Sequence, residues 1–265
     1  MDPDGTVRMD LGISNRTAIV CGATAGLGEA AARALGSEGV RVVIAGRRGE
    51  RAKRIAAELP NAVGTGMDIT SPHTADELVA LAEAEFGPVD IVIVNGPGPP
   101  PLTAAEVGDQ DVLNAVASLF LPHRRLVTRV LGGMRDRRWG RILAIGSSGV
   151  LTPLRGLATS NIARSALGAY LKTLANEVAL DGVTVNMVIP GRISTDRVAS
   201  LDSAAAERSG LTAAEVASRS ASSIPVGRYG TVEEFAAVVT FLCSERASYV
   251  TGCAIRCDGG LAPTL

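Results

Sequence analysis

The stretch Cys21-Gly22-Ala23-Thr24-Ala25-Gly26-Leu27-Gly28 decides the fold of this chain of 265 residues. The apolar run 17–21 precedes it and predicts a buried strand, whereas residues 27–38 have the apolar spacing of a helix. Glycines permit a sharp turn and a close approach to the backbone, and the N–H groups that open a helix are suited to phosphate oxygens. A glycine triplet alone is weak evidence, but a strand before it and a helix after it favour a pyrophosphate site over a plain structural turn.

The same alternation of apolar runs and amphipathic segments continues to the C-terminus. It predicts further strands at 40–45, 62–67, 90–94, 141–145, 183–189 and 254–257, and helices at 50–59, 72–86, 110–137, 158–179 and 231–242. Such alternation implies right-handed crossovers and a parallel sheet. We therefore predict a Rossmann-type α/β fold: a doubly wound, seven-stranded parallel sheet in three α/β/α layers, forming one domain over residues 1–265. A ligand is expected at the carboxyl ends of the strands.

Composition narrows the possible partners. The formal net charge is −1, which does not suggest binding to nucleic acid or to an anionic membrane surface. The N-terminus does not have the pattern of a signal peptide, and no run of 18 apolar residues predicts a membrane span, so we expect a cytoplasmic protein. The four cysteines and two histidines lack the spacing of zinc ligands, and we expect no metal site.

The glycine spacing G-x-x-x-G-x-G resembles that of the short-chain dehydrogenase/reductase family, and the resemblance covers nearly the whole chain. The segments that carry it are 67–70, 94–97, 140–147, 190–195, 224–230, 249–252 and 258–260. They are most similar to the β-ketoacyl carrier-protein reductase branch. The resemblance implies a nicotinamide dinucleotide cofactor, a small-molecule substrate and a homo-oligomer, a dimer or tetramer, that uses the helices flanking the fifth strand and the C-terminal strand.

The resemblance also implies which residues hold the cofactor. They are Gly22, Thr24, Gly26, Leu27, Gly28, Arg47, Arg48, Asp68, Ile69, Asn95, Gly96, Arg164, Pro190, Gly191, Ile193 and Thr195. Family members that use NAD place an acid at the end of the second strand, where this chain has Arg47 and Arg48. Guanidinium groups form charge-assisted bonds to phosphate, which favours NADP, with NAD still possible. The alternative is that both arginines are exposed charges at a helix entry, and Ala25 stands where many NADP-dependent relatives have a basic residue.

The resemblance is weakest at the catalytic positions, where relatives use Asn, Ser, Tyr and Lys. An ungapped alignment retains the serine as Ser147 but places Ser160 at the tyrosine, Arg164 at the lysine and Leu119 at the asparagine. Ser160 and Arg164 are four residues apart, so they share a helical face directed into the cleft beside Ser147. We predict these three as the catalytic residues, with Arg164 suited to bind a carboxylate or stabilise an oxyanion. The alternative is a decayed site.

Other features of the chain bear on the substrate. Arg192 carries a charge where relatives seldom have one, and it is expected at an anionic substrate or the cofactor phosphates. His123 is expected to be a packing or subunit-contact residue. Residues 194–225 are predicted to form a mobile lid over the substrate, facing the proline-rich rim 96–101.

Three functions are compatible with this sequence. The first is an NADP-dependent oxidoreductase with an atypical site, acting on a small carbonyl, hydroxy or enoyl compound. The second is a lyase, isomerase or cyclase on the same fold that uses Arg164 as an oxyanion stabiliser. The third is a dinucleotide-binding protein without catalysis, because a fold does not fix a function.

Overall fold

A computed structural model describes residues 9–263, which form one seven-stranded sheet in the order β3-β2-β1-β4-β5-β6-β7. The strands are β1 Thr17–Val20, β2 Arg41–Gly46, β3 Ala62–Gly66, β4 Ile91–Val94, β5 Gly140–Ile145, β6 Val183–Pro190 and β7 Ala254–Cys257. Every pair of neighbouring strands is parallel. The predicted Rossmann-type sheet is confirmed.

Helices cover both faces of the sheet. They are α1 Gly26–Ser37, α2 Gly49–Ala57, α3 Thr74–Phe86, α4 Asp109–Leu119, α5 Leu121–Asp136, α6 Ala158–Val178, α7 Asp196–Ser209, α8 Ala213–Ser222 and α9 Val232–Leu242. One apolar core lies between the sheet and helices α3, α5 and α6, and a second lies between the sheet and α1, α2 and α9. All four residues of β4 are 0% exposed, which explains why the central strands are continuous apolar runs rather than alternating ones.

The strand order reverses between β1 and β4, and this places the cleft. The chain leaves β1 with the Cys21 N–H donating to the Ile93 carbonyl, and then turns so that the Ala23 N–H donates to the Ala45 carbonyl. Ligands of open α/β sheets bind in such a crevice, at the carboxyl ends of the strands.

Two parts of the sequence prediction are corrected by the structure. The single helix expected at 110–137 is wrong, because α4 ends at Leu119 and α5 begins at Leu121. Pro122 lacks an N–H group and its ring crowds the preceding turn, so a continuous helix is interrupted there. The predicted lid, residues 194–225, contains the two helices α7 and α8, although no helix is predicted there from the sequence. The other predicted bounds agree within two residues, and no helix within residues 9–263 is long and apolar enough to cross a membrane.

Candidate active site

The turn after β1 forms a cradle that fits two linked phosphates. Gly22 and Gly26 adopt left-handed backbone conformations with φ of +60° and +53°, which favour glycine. A Cβ atom on Gly28 would lie 2.3 Å from the Gly22 carbonyl oxygen, so the helix can approach the turn only without a side chain there. Ala25 precedes α1 in an extended conformation and provides no side-chain cap. The N–H groups of the first helical turn are therefore directed at the crevice and available to an anion.

Thr195 forms the opposite wall of this cradle. A Cβ atom on Gly26 would lie 3.3 Å from the Thr195 methyl carbon, so glycine keeps the gap between them open. The Thr195 hydroxyl accepts the Val198 N–H at 3.3 Å and caps helix α7. The cradle and the start of the predicted lid therefore share one residue.

Two arginines follow β2 and face different partners. Arg48 donates from Nε to the Thr24 hydroxyl at 3.2 Å and from Nη2 to the Thr24 carbonyl at 2.7 Å, which holds its guanidinium against the glycine turn. Asp68 accepts the Thr70 N–H at 3.0 Å and the Thr70 hydroxyl at 2.8 Å. These bonds lower the pKa of Asp68, and the charge of Arg47 adds to the effect. Arg48 thus lies at the cradle, whereas Arg47 lies near Asp68 and the adjoining Ile69.

The segment after β4 packs on the glycine turn. Asn95 donates from Nδ2 to the Gly22 carbonyl at 3.4 Å. Behind Gly96 lies His123, which is 3% exposed and donates from Nδ1 to the Leu119 carbonyl at 2.6 Å. Its Nε2 is buried and makes no well-aligned hydrogen bond to the described residues. The nearby Asn95 backbone raises the pKa of His123, but this effect is smaller than that of burial. Burial lowers the pKa of His123 to about 4, so the ring is neutral and fits the packing role expected from the sequence.

The loop after β6 is fixed on three sides. The Gly191 N–H donates to the Cys257 carbonyl at 2.9 Å, and a Cβ atom on Gly191 would lie 2.6 Å from the Asp258 Cα. Ile193, which is 3% exposed, pairs with Gly230. Residues 190–195 therefore present a rigid edge beside the cradle.

Arg164 lies at the carboxyl end of β5. Its Nη1 donates to the Ile145 carbonyl at 3.2 Å and the Gly146 carbonyl at 3.4 Å, immediately before Ser147. Burial lowers its pKa to about 10, and the charge of Arg197 contributes, so Arg164 stays charged at neutral pH. The Ser147 hydroxyl accepts the Gly149 N–H at 3.3 Å.

The residues around Arg164 on α6 are small. Ser160 is half-buried in the first turn of α6. Leu119, which is 1% exposed, packs against Ala115 and Ala163. The wall of the cleft formed by these residues is therefore apolar at Leu119 and carries a small hydroxyl at Ser160.

The structure gives Arg192 a different partner from the anionic ligand expected from the sequence. Its Nη1 lies 3.1 Å from Asp202 Oδ1, and the Tyr229 hydroxyl donates to Asp202 Oδ2 at 2.9 Å. Asp202 is 4% exposed, and burial together with Asp202 raises the pKa of Tyr229. We call these three residues the lid clamp, because they tie α7 to the loop after β6. Neither Asp202 nor Arg197 is identified as a site residue from the sequence, because neither lies in a recognisable motif.

Taken with the sheet order, the cradle defines the class of Rossmann-type dinucleotide-binding proteins. Among residues 9–263, no group of three or more His, Cys, Asp or Glu side chains is arranged to hold a metal ion.

The family described as "Enoyl-(Acyl carrier protein) reductase" matches residues 22–262. The 3-oxoacyl-[acyl-carrier-protein] reductase FabG of Salmonella typhimurium is 32% identical over 252 residues, which cover 95% of this chain and 99% of that protein. The chain belongs to the short-chain dehydrogenase/reductase family, in the branch of the FabG ketoacyl reductases.

Solved structures agree with this assignment. L-Sorbose reductase from Gluconobacter frateurii, complexed with NADPH and L-sorbose, superposes with a TM-score of 0.91 at 30% identity, over 97% of this chain and 100% of that one. YwfH, an NADPH-dependent reductase involved in bacilysin biosynthesis, gives a TM-score of 0.90 at 28% identity, over 95% and 100% of the two chains.

Proposed function

We propose that the protein is an NADP-dependent oxidoreductase with an atypical proton path, acting on a small carbonyl, hydroxy or enoyl compound. The observation that carries the choice of NADP is the Arg48 guanidinium, held on Thr24 beside the cradle. Residues 41–49 contain no carboxylate that would repel a ribose phosphate. The NADPH named for both structural neighbours supports the same choice.

Different residues of the cradle and its surroundings would bind different parts of the cofactor. The N–H groups of Gly26, Leu27 and Gly28 would hold the pyrophosphate opposite Thr195, and Arg48 would bind the ribose phosphate. Thr24 positions Arg48.

The remaining predicted contacts flank these groups. Asp68, Ile69 and Arg47 flank the adenine end of the site, and Asn95 with Gly96 lines the floor between the two ends. The rigid edge that contains Pro190, Gly191 and Ile193 would orient the nicotinamide end. The bound cofactor supplies or accepts the hydride, and the protein orients it.

Ser147 and Arg164 are the groups placed to act on a substrate oxygen. The Ser147 hydroxyl can donate to that oxygen. Arg164 has N–H groups that its carbonyl bonds leave available, and a fixed cation stabilises negative charge as it develops. At neutral pH Arg164 keeps its proton, so we infer that the proton reaches the substrate oxygen from solvent through the hydroxyls of Ser160 and Ser147.

Reduction of a panel of ketones and enoyl compounds with NADPH, followed by nicotinamide absorbance, tests this proposal. We expect the parent to turn over at least one substrate. Ser147→Ala should lower the turnover rate on the order of 100-fold because a hydrogen-bond donor is missing, and the neighbouring control Ser148→Ala should change it little. Conversion of substrate without change in absorbance would instead support the lyase, isomerase or cyclase, which the fixed charge of Arg164 also favours. Cofactor binding without conversion of any substrate would support the third function, a dinucleotide-binding protein without catalysis.

We also propose that the chain forms a homo-oligomer through the helices that flank β5. Leu113 of α4 and Ile162 of α6 are 61% and 41% exposed, although both are apolar and lie on neighbouring helices. A second subunit would cover them. Sedimentation analysis should show a dimer or tetramer, and Leu113→Glu should shift the population toward monomer.

A further inference from the structure

Arg197 spans the cleft from one wall to the other. It lies in the first turn of α7, which the sequence assigns to the lid. A Cβ atom on Gly98, in the opposite rim, would lie 2.7 Å from Arg197 Nη2 and 3.5 Å from its Cζ. The guanidinium therefore touches the rim while its backbone belongs to the lid.

A second guanidinium, that of Arg164, lies within electrostatic range of the first. The charge of Arg197 is one of the two causes that lower the pKa of Arg164, the other being burial. The Arg164 guanidinium lies at the carboxyl end of β5, whereas Arg197 belongs to α7 of the lid. Arg164 bonds to the carbonyls that end β5, and Arg197 reaches the segment that follows β4, the neighbouring strand, so the two guanidinium groups approach the cleft at adjacent strand ends.

Neither cation has a carboxylate partner in the part of the chain that the structure describes. The partners of Arg164 are two backbone carbonyls. The buried acid of the lid, Asp202, is occupied by Arg192 and Tyr229. Glu106, beyond the rim, accepts from Thr103. Two like charges in a partly desolvated cleft are unfavourable unless an anion joins them.

The lid clamp helps to hold α7, and with it Arg197, beside the cleft. Asp202 lies on the same helix as Arg197, five residues further along, and its bonds to Arg192 and Tyr229 hold that helix against the loop after β6. These bonds contribute to placing the Arg197 backbone beside the cleft.

We propose that the substrate of this enzyme carries an anionic group, such as the carboxylate of an oxo acid, that binds between Arg164 and Arg197. This inference rests on the proposed function and names its substrate class. Guanidinium groups donate in pairs to the two oxygens of a carboxylate or phosphate, and two of them on opposite walls would hold the anion from both sides. The reacting carbonyl would then lie beside Ser147.

Calorimetric titration of the protein saturated with NADP⁺ tests the proposal without requiring turnover. The probes are acetoacetate and phenylpyruvate, each compared with its primary amide, and dihydroxyacetone phosphate compared with dihydroxyacetone. We expect at least one anion to bind on the order of 10- to 100-fold more tightly than its neutral counterpart, the range expected for charge-assisted hydrogen bonds. The pair that shows the preference identifies a carboxylate or a phosphate.

Arg197→Gln should remove that preference and leave the affinity for the neutral probe unchanged, because the amide is polar but carries no charge. Arg208→Gln, an exposed arginine at the other end of α7, is the matched control and should keep the preference. Equal binding of anions and neutral probes by the parent would overturn the anion site alone. A fall in NADP⁺ affinity in Arg197→Gln would also overturn it, by assigning Arg197 to the cofactor. Failure of the parent to bind NADP⁺ would refute the proposed function itself.

Discussion

Acidification should destabilise this protein through one buried side chain, His123. The ring is 3% exposed, and burial lowers its pKa from 6.5 to about 4. The unfolded chain therefore binds a proton at a higher pH than the folded protein does. Stability is complete above the unfolded value and is lost as pH falls from about 6.5 toward about 4, below which no further loss comes from this residue.

The size of the effect follows from these two pKa values. Each unit of difference corresponds to about 1.4 kcal/mol, so His123 should lower the free energy of unfolding by about 2 kcal/mol between about pH 7.5 and about pH 5. Urea unfolding at several pH values in this window measures it. Most carboxylates titrate at lower pH, which separates their contribution from that of the histidine.

The matched variants are His123→Gln, which cannot gain a proton, and His73→Gln, which removes the exposed histidine before α3. His123→Gln is expected to be less stable at neutral pH but to have a flatter dependence on pH. His73→Gln should retain the dependence of the parent. An unchanged slope in His123→Gln would show that the buried ring is not the source of acid sensitivity.

Three further changes follow from the site. Arg48→Ala should raise the dissociation constant for NADPH on the order of 10- to 100-fold and that for NADH only slightly, because the lost bond goes to the ribose phosphate. Calorimetry measures both constants, and Arg54→Ala, which removes an exposed arginine, is the control. Asp202→Asn should speed amide hydrogen exchange in α7 but not in α6, because the lid clamp loses its negative charge. If α7 exchanges at the same rate in the variant and the parent, the clamp does not hold the lid. Ser160→Tyr combined with Arg164→Lys should increase the reduction of simple neutral ketones by NADPH, and no gain in a folded variant would argue against the alignment of these positions.

The sheet could be predicted from the sequence because its strands are buried on both faces. Runs such as Ile91-Val92-Ile93-Val94 are short and rich in β-branched residues, which favours a buried strand over a helix. The glycine turn was equally readable, because its requirements are local: a left-handed Gly26 and a Gly28 without space for a Cβ atom. Resemblance then supplied the positions of Arg164 and Ser147.

The lid could not be predicted as fully, although one signal was present. Thr212 and Glu215 form a capping box at the start of α8, and this spacing is visible in the sequence. The break at Phe120 was also signalled, by Pro122. The pairing of Arg192 with Asp202 depends on how α7 packs on the loop after β6, and the approach of Arg197 to Gly98 joins segments about 100 residues apart in the sequence. No local pattern encodes them.

Titration of NADPH and NADH into the parent protein and into Gly26→Val tests the central claim most directly. Gly26 has φ of +53°, and a Cβ atom there would lie 3.3 Å from Thr195, so valine should distort the cradle and block the pyrophosphate. We expect the parent to bind NADPH more tightly than NADH, and the folded variant to bind neither. A parent that binds neither nucleotide, or a folded Gly26→Val protein with undiminished affinity, would contradict the account.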